Sequence, residues 1–433
     1  MPRLSGDRAT WIVILAVALA ARLAAGALVQ SRIAEPARFY FGDSDTYWEL
    51  GRAIAAGEPY QYRSEDARVM RTPGYPLLLA GMFWIVGDDP PVMAARALSA
   101  VLGTLAVGVA AWWSASLFDR RTAFVAGWIA ALYPGGVAMG AFVLSEAPFC
   151  PLMLLQLALW GKAWQAESSR LAVGLAIAGG VAGGAATLMR PSWLLFLPFA
   201  LVVGMAFARR GRQLVIGCAM AASLVACMLP WWIHNARVTG RFVATTLQRG
   251  ASLYDGLNPE ADGSSDMRFV PGFVAQQRAA DAAAGVNLPL RPPFEYRLDR
   301  RMMRAALDWA RAHPRRVVEL AGIKFVRIWN VWPNEANLRN WPVRLVVAGT
   351  YVPLLACGLI GVWRYTPRGW PYALAWLPAV YLTLLHVTFV GSIRYREPAM
   401  LALTVLAAAV VSGVSGANKD RTESAARGSA QTE

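Results

Sequence analysis

The residue types that can move a proton or hold an anion fall in a few short stretches of this 433-residue chain. Asp43 and Asp45 flank Ser44 in GDSDTYW, at the start of a helical pattern. A carboxylate partly withdrawn from water is a candidate general base, because desolvation raises its pKa towards the working range. The same two residues have a plainer reading as helix N-caps in the field of the macrodipole, and Thr46 with Glu49 has capping-box spacing. Glu146, in VLSEAPF, stands at the mouth of an apolar run with no cation near it in sequence. An ionisable group there favours a functional reading, with Ser145 or Glu146 as a helix cap the alternative.

The cationic candidates are Arg190 in LMRPSW and Arg394 and Arg396 in GSIRYREP. Each can serve as a snorkelling anchor. The planar guanidinium fork also matches two phosphate oxygens at once, and an electropositive pocket facing carboxylates is what departure of phosphate from a sugar requires. His234 and His386 are each isolated in sequence and read as hydrogen-bonded residues of a membrane interface. The acidic stretch 255–266, DGLNPEADGSSD, lacks the spacing of an EF-hand loop and reads as a solvated loop. No cofactor is implied with certainty, although Asp-Ser-Asp leaves room for a divalent metal.

What must position these groups is a membrane bundle. The chain is 56% apolar and only 16% charged, with 18 Trp, and its mean hydropathy is +0.38. Soluble globular chains are about a quarter charged, so this composition excludes that class, and it excludes disorder. The net charge of +15 would suit nucleic acid in a soluble protein; here it reports the positive-inside rule and contact with anionic lipid. Cys150, Cys218, Cys227 and Cys357 lie in or beside apolar runs without metal-ligand spacing and read as packing residues.

About ten runs approach the roughly 20 apolar residues a spanning helix needs: about 11–29, 93–117, 122–140, 145–162, 171–189, 192–208, 213–233, 343–363, 371–390 and 398–415. The fold class expected is therefore an all-α polytopic membrane protein. Arg22 interrupts the first run and no convincing cleavage site follows, so that run reads as a retained span. Arg3 and Arg8, Arg120 and Arg121, Lys162 and Arg170, Arg209, Arg210 and Arg212, Arg364 and Arg368, and Lys419, Arg421 and Arg427 all fall on one side. That asymmetry predicts both termini inside and two long outer loops, about 30–92 and 234–342. Interfacial helices are expected in both loops. In the second, HPRRVVELAGIKFVRIWNVW is amphipathic, with Val317, Val318, Ala321, Phe325, Ile328 and Trp329 on one side and Arg315, Arg316, Glu319, Lys324 and Arg327 on the other. Residues 1–416 read as one transmembrane domain and 417–433 as a disordered cytoplasmic tail.

Taken in order, these stretches resemble the C-type membrane glycosyltransferases, in the bacterial branch related to protein O-mannosyltransferases and the lipid A aminoarabinose transferase. The resemblance runs through GDSDTYWELGRAIAAGEPY, RTPGYPLLLA, LSEAPF, TLMRPSWLLFLP, PWWIHNARVTGRF, YDGLNP, the long EYRLDRRMMRAALDWARAHPRRVVELAGIKFVRIW and IRYREP. It implies a family 39-like transferase that moves a sugar from a polyprenyl-phosphate donor to a lipid, glycan or protein acceptor, with inversion, on the outer face of a bacterial inner membrane. Carried over by residue, it places the catalytic Asp on Asp43, four before Tyr47, with Asp45 the runner-up and Glu146 a further catalytic acid. Tyr47, Arg71, Arg190, His234, Arg394, Tyr395 and Arg396 fall on substrate-binding positions. Where this chain has Ser44, many relatives have Glu, and where it has His234, many have Arg.

A polytopic transporter or a flippase for lipid-linked sugars is the rival from another class, and its charged groups would form a path through the bilayer. No internal repeat supports it. No glycine motif of a dinucleotide fold is present either. The discriminating feature is whether the ionisable residues gather in one pocket at the membrane surface or string out through the bundle.

Overall fold

Apolar runs interrupted by glycine, proline and tryptophan dictate a stack of helices of unequal length. The computed structural model describes residues 8–34, 37–207, 209–284, 293–332 and 341–414, and no strand occurs among them. The tail 417–433, with Lys419, Arg421 and Arg427, and Arg3 at the other end lie outside the described residues. In chain order the helices are α1 (Arg8–Gln30), α2 (Gly42–Ala55), α3 (Gly74–Val86), α4 (Val92–Leu117), α5 (Arg120–Leu132), α6 (Pro134–Ala141), α7 (Glu146–Gln165), α8 (Ser169–Met189) and α9 (Phe196–Gly204). They continue with α10 (Arg210–Thr239), α11 (Arg249–Gly256), α12 (Val270–Ala283), α13 (Phe294–Ala312), α14 (Pro314–Trp329), α15 (Trp341–Tyr365), α16 (Trp370–Ala373), α17 (Leu377–His386) and α18 (Glu397–Val411).

Every expected span coincides with a helix or a broken pair of helices. Five helices, α1, α4, α8, α10 and α15, are long and apolar enough to cross a membrane, and the bent pair α5–α6 makes a sixth. The others differ for physical reasons. Pro134 ends α5, and the chain turns by 56° into α6. The runs at 192–208 and 371–390 carry only the short apolar helices α9 and α17, each preceded by a separate short helical turn, Pro191–Trp193 and Trp370–Ala373. α7 carries Glu146, Gln156 and Lys162 and is sheathed by neighbouring helices along most of its length.

Close helix contact in lipid depends on small residues, because burial of apolar surface gives no net advantage over contact with acyl chains. Gly180 and Gly184 of α8 meet that need against α10: a Cβ at Gly184 would come within 2.6 Å of the Cys227 Cβ. Arg22, buried at 1% exposure, shows how a charge is accommodated inside the bundle. Its guanidinium donates to the carbonyls of Ala18 (2.9 Å), Ala130 (3.2 Å) and Ala131 (3.2 Å). The last two are carbonyls that α5 cannot satisfy itself where it ends at the bend. Arg22 is thus a cap for a broken helix. Arg22→Met should lower stability by about 1 to 3 kcal/mol, since buried carbonyls lose their donor; an unchanged thermal midpoint in detergent would show that the bend is held by other contacts.

The basic turns gather at one end of the bundle. Arg212 donates to the carbonyls of Ala163 and Ala166, Phe118 packs edge-on against Tyr365 at 4.9 Å, and Arg368 lies over the Tyr365 ring at 4.5 Å. The chain's two long loops lie beyond the opposite helix ends. There α2 and α3 pack through Trp48 against Phe83 (4.9 Å) and Tyr47 against Tyr75 (5.2 Å), and α12 and α13 reach the segment that joins them through Arg278 to Asp66 and Glu295 to the Arg68 and Val69 N–H groups. α14 departs from the expected division of faces. Lys324 is fully buried with Leu320 and Ile328 and donates to the carbonyls of Gly256 (2.8 Å) and Thr388 (3.2 Å), while Val318, Phe325 and Val326 are exposed. Burial also lowers the Lys324 ammonium to about 8. The amphipathic helix therefore uses its lysine as an anchor to the bundle and turns apolar side chains outward.

Candidate active site

A cavity of about 1680 Å³ opens beneath the loop helices, and the sequence's candidates divide sharply around it. α2 begins at Gly42 after Phe41, which makes no side-chain cap, so Asp43 and Asp45 lie within the first helical turn and neither is the cap. Thr46 reaches only the Gly42 carbonyl and Glu49 pairs with Arg52, so no capping box forms. Asp43 lines the cavity with its side chain 36% exposed. Its Oδ1 accepts from Arg71 Nη2 at 2.5 Å and its Oδ2 from Arg394 Nη2 at 3.4 Å. Burial works to raise its pKa, but the two guanidiniums prevail and hold the carboxyl below the usual carboxylate range.

Glu146 opens α7 deeper in the same cavity and is 1% exposed. Its Oε1 forms ion pairs with Arg190 Nη1 at 2.6 Å and Arg394 Nε at 2.8 Å. Arg394 thus bridges the two carboxylates, and its pKa is raised by them despite burial. The sequence separates these groups by up to 351 positions, and the fold joins them through local devices. Arg190 is held where α8 gives way to a 3-10 turn whose Trp193 donates to Gln156 Oε1 at 2.6 Å. Arg394 sits in a 3-10 turn capped by Ser392, and the preceding Gly391 is tied to Gly263 (2.8 Å) and Arg327 (3.2 Å) of the second loop. Tyr395 lies between Arg394 (5.4 Å) and Arg190 (5.9 Å), and Tyr47 lies under Arg71 (5.2 Å).

Three of the sequence-predicted site residues are not among the residues that line this cavity. Asp45 accepts from Tyr62 Oη (2.9 Å) and Arg63 Nη2 (2.8 Å), which tethers the first long loop to α2. Arg396, 1% exposed, donates to the carbonyls of Ile328 (3.1 Å) and Asn330 (2.5 Å) and lies 3.6 Å over the Tyr351 ring. It fastens the end of α14 to the bundle. His234 stacks on Trp231 at 4.9 Å within α10.

Some cavity residues escape the sequence reading, and others are read there in a different role. Gln248 accepts from Arg71 Nη1 at 2.7 Å and so ties the second loop to the Asp43 pair. Glu295 accepts from the backbone N–H groups of Arg68 and Val69 at 2.9 and 3.0 Å, and burial pushes its carboxyl up to about 7. Tyr133 donates to Glu397 Oε2 at 2.6 Å. His386 lines the cavity with its ring stacked on Tyr395. The acidic stretch 255–266 is more than a solvated loop: Asp255 is buried and accepts from Ser265 Oγ (2.6 Å) and the Asp266 N–H (2.7 Å).

The carboxylates of Asp43 and Asp45 face different cations, so Asp-Ser-Asp does not act as a paired ligand. Among the described residues no group of three or more His, Cys, Asp or Glu side chains comes together to hold a metal.

Comparison with known proteins bears on the fold. Residues 81–243 match the family model for dolichyl-phosphate-mannose-protein mannosyltransferases. No curated protein sequence matches the chain. The fold is similar to that of the Archaeoglobus fulgidus oligosaccharyltransferase in its apo form, with a TM-score of 0.57 at 13% identity, over 94% of this chain and 51% of that one. The oligosaccharyltransferase AglB from the same organism, in complex with an inhibitory peptide and a dolichol-phosphate, gives a TM-score of 0.55 at 14% identity over 93% and 50% of the two chains. ArnT from Cupriavidus metallidurans bound to undecaprenyl phosphate is also similar, at 17% identity over 89% and 77%, with a TM-score of 0.45. The chain spans about half the length of the archaeal enzymes it matches. It is an integral membrane protein with the fold of the C-type glycosyltransferases.

Proposed function

We propose that this protein transfers a sugar from a polyprenyl-phosphate-linked donor to an acceptor hydroxyl at the outer face of the membrane, by inverting displacement. The observation that carries this reading is the alternating charge cluster Arg71–Asp43–Arg394–Glu146–Arg190 on the wall of one cavity. Three guanidiniums against two carboxylates leave one positive charge, which suits the single negative charge of a lipid phosphodiester. Once the sugar leaves, the phosphate becomes a monoester and gains charge that this core does not neutralise, which favours release.

Asp43 is the base in this scheme. A carboxylate held low by two guanidiniums is a weak proton acceptor. Arg394 contacts it at 3.4 Å but Glu146 at 2.8 Å, so the Asp43 contact is the easier to give up. A donor phosphate that engages Arg394 withdraws that cation and restores basicity to Asp43 when the acceptor is to be deprotonated. Arg190 and Arg394 then stabilise charge gathering on the departing phosphate. Apolar residues on the same wall, among them Phe142, Leu194, Leu195 and Phe389, would receive the start of the prenyl chain. The location of the cavity away from the basic turns supports an outer-face site.

The transporter reading predicts charges strung through the bundle. Arg22, a buried charge inside a spanning helix, is consumed as a helix cap. Mass spectrometry of lipid and envelope glycans from cells with and without the protein tests the proposal: a glycan or lipid lacking one sugar, together with accumulated sugar-linked polyprenyl phosphate, is expected. Unchanged glycans with redistribution of an intact lipid-linked sugar across the membrane would replace it with transport.

A further inference from the structure

His386 is a polar side chain on the cavity wall whose ring nitrogens the fold leaves unused. It ends α17, is 7% exposed and lines the same cavity as Asp43 and Arg394. Its ring lies flat on Tyr395, centroids 3.8 Å apart at 4°, and Tyr395 is the ring that Arg394 and Arg190 flank. Neither Nδ1 nor Nε2 has a hydrogen-bond partner among the described residues. The Val390 backbone lies near the ring but short of hydrogen-bond geometry. A buried polar group without a partner is destabilising, so phenylalanine would serve the stacking better. The isolated histidine is therefore not the hydrogen-bonded interface residue its sequence suggests.

We propose that the His386 imidazole donates an N–H hydrogen bond to a non-bridging oxygen of the donor's lipid phosphate, beside the two guanidiniums. This rests on the glycosyl-transfer reading above and adds a third, uncharged donor to its phosphate site. Either neutral tautomer carries one N–H, so the role needs no change of protonation. An uncharged donor also adds less attraction for the more highly charged phosphate product than a third cation would.

The test pairs affinity with stability in the full-length protein in detergent, using farnesyl phosphate and farnesol as probes. His386→Phe keeps the stack on Tyr395 and removes both nitrogens. Its thermal midpoint without ligand should equal or exceed that of the unsubstituted protein, while its affinity for farnesyl phosphate falls about 10- to 100-fold, the range of one hydrogen bond to a charged group. Farnesol should bind both proteins alike. His386→Gln, which restores an N–H donor, should recover most of the phosphate affinity. A purely structural histidine gives the opposite pattern, a lower midpoint with unchanged affinity, and that result overturns the assignment. If His386→Phe binds farnesyl phosphate normally while Arg394→Leu does not, His386 is excluded and the phosphate site stands. If neither substitution affects farnesyl phosphate binding, the phosphate site itself is misplaced.

Discussion

Replacing Asp43 with Asn should reduce turnover by about 100- to 10,000-fold, the contribution of a positioned general base, while the protein folds and inserts as before. The amide keeps the shape of the carboxylate but cannot take a proton at neutral pH. Folding is spared because Asp43 caps no helix and its side chain is 36% exposed in the cavity. Donor binding should survive and even tighten, since the substitution removes an anion that competes for Arg394. Asp45→Asn is the control. It weakens an ion pair to the exposed Arg63, a kind of contact worth about 0 to 1 kcal/mol, so its turnover should stay near normal. Wild-type turnover by Asp43→Asn in an assay limited by chemistry would remove the base from the mechanism. Glu146, 1% exposed and paired through Oε1 with Arg190 and Arg394, would then be the group to test next.

The same electrostatics predict a pH signature. Arg71 and Arg394 depress the Asp43 pKa, so its carboxylate in the free protein stays ionised as pH falls through the usual range, near 4. The acid limb of kcat/KM, which reports the free enzyme, should lie below that range. When the donor phosphate engages Arg394, one of the depressing cations is withdrawn, and the acid limb of kcat should move to higher pH. Arg71→Leu should move both limbs upward. Coincident limbs for kcat and kcat/KM would mean that the donor leaves the Arg394–Asp43 contact intact.

Much of this arrangement was legible in the sequence, and what was not has identifiable causes. Composition and hydrophobic runs sufficed for the membrane class, because lipid demands long helices with internal hydrogen bonds. They could not show that Pro134 bends one run by 56°, since a proline in an apolar run can be either tolerated or disruptive. The pairing of Asp43 with Asp45 was ambiguous as a motif but constrained by geometry. Positions two apart on an α-helix differ by about 200°, so only one of them can face a given cavity. The same logic separates Arg394 from Arg396 in a 3-10 turn of about three residues per turn. Lys324 was misjudged because helical periodicity assigns charges to the solvent face. Its ammonium instead meets carbonyls 68 and 64 positions away, which no local pattern contains. Gln248 is invisible for the same reason, since its meaning comes from Arg71 across the fold, and His386 is noticed but misread because the stacking of its ring on Tyr395 shows only in the fold.

Arg394→Lys is the substitution that should most directly expose the phosphate site. The guanidinium uses Nε towards Glu146 and Nη2 towards Asp43, so one planar group spans two carboxylates and still presents N–H groups to a ligand. A lysine ammonium keeps the charge but concentrates it at one point, and it cannot hold Glu146 while reaching a phosphate with two parallel bonds. Donor use should weaken by about 1 to 3 kcal/mol, roughly 5- to 150-fold. Arg396→Lys should behave differently although it lies two residues away. Its side chain faces the Ile328 and Asn330 carbonyls and the Tyr351 ring, so the expected effect is a lower thermal midpoint with little change in donor affinity. Arg394→Lys with full donor affinity, or Arg396→Lys with normal stability and weakened donor binding, would reverse the division of labour between these two arginines. The leaving-group site would then lie on the Arg396 side of the turn, away from Asp43.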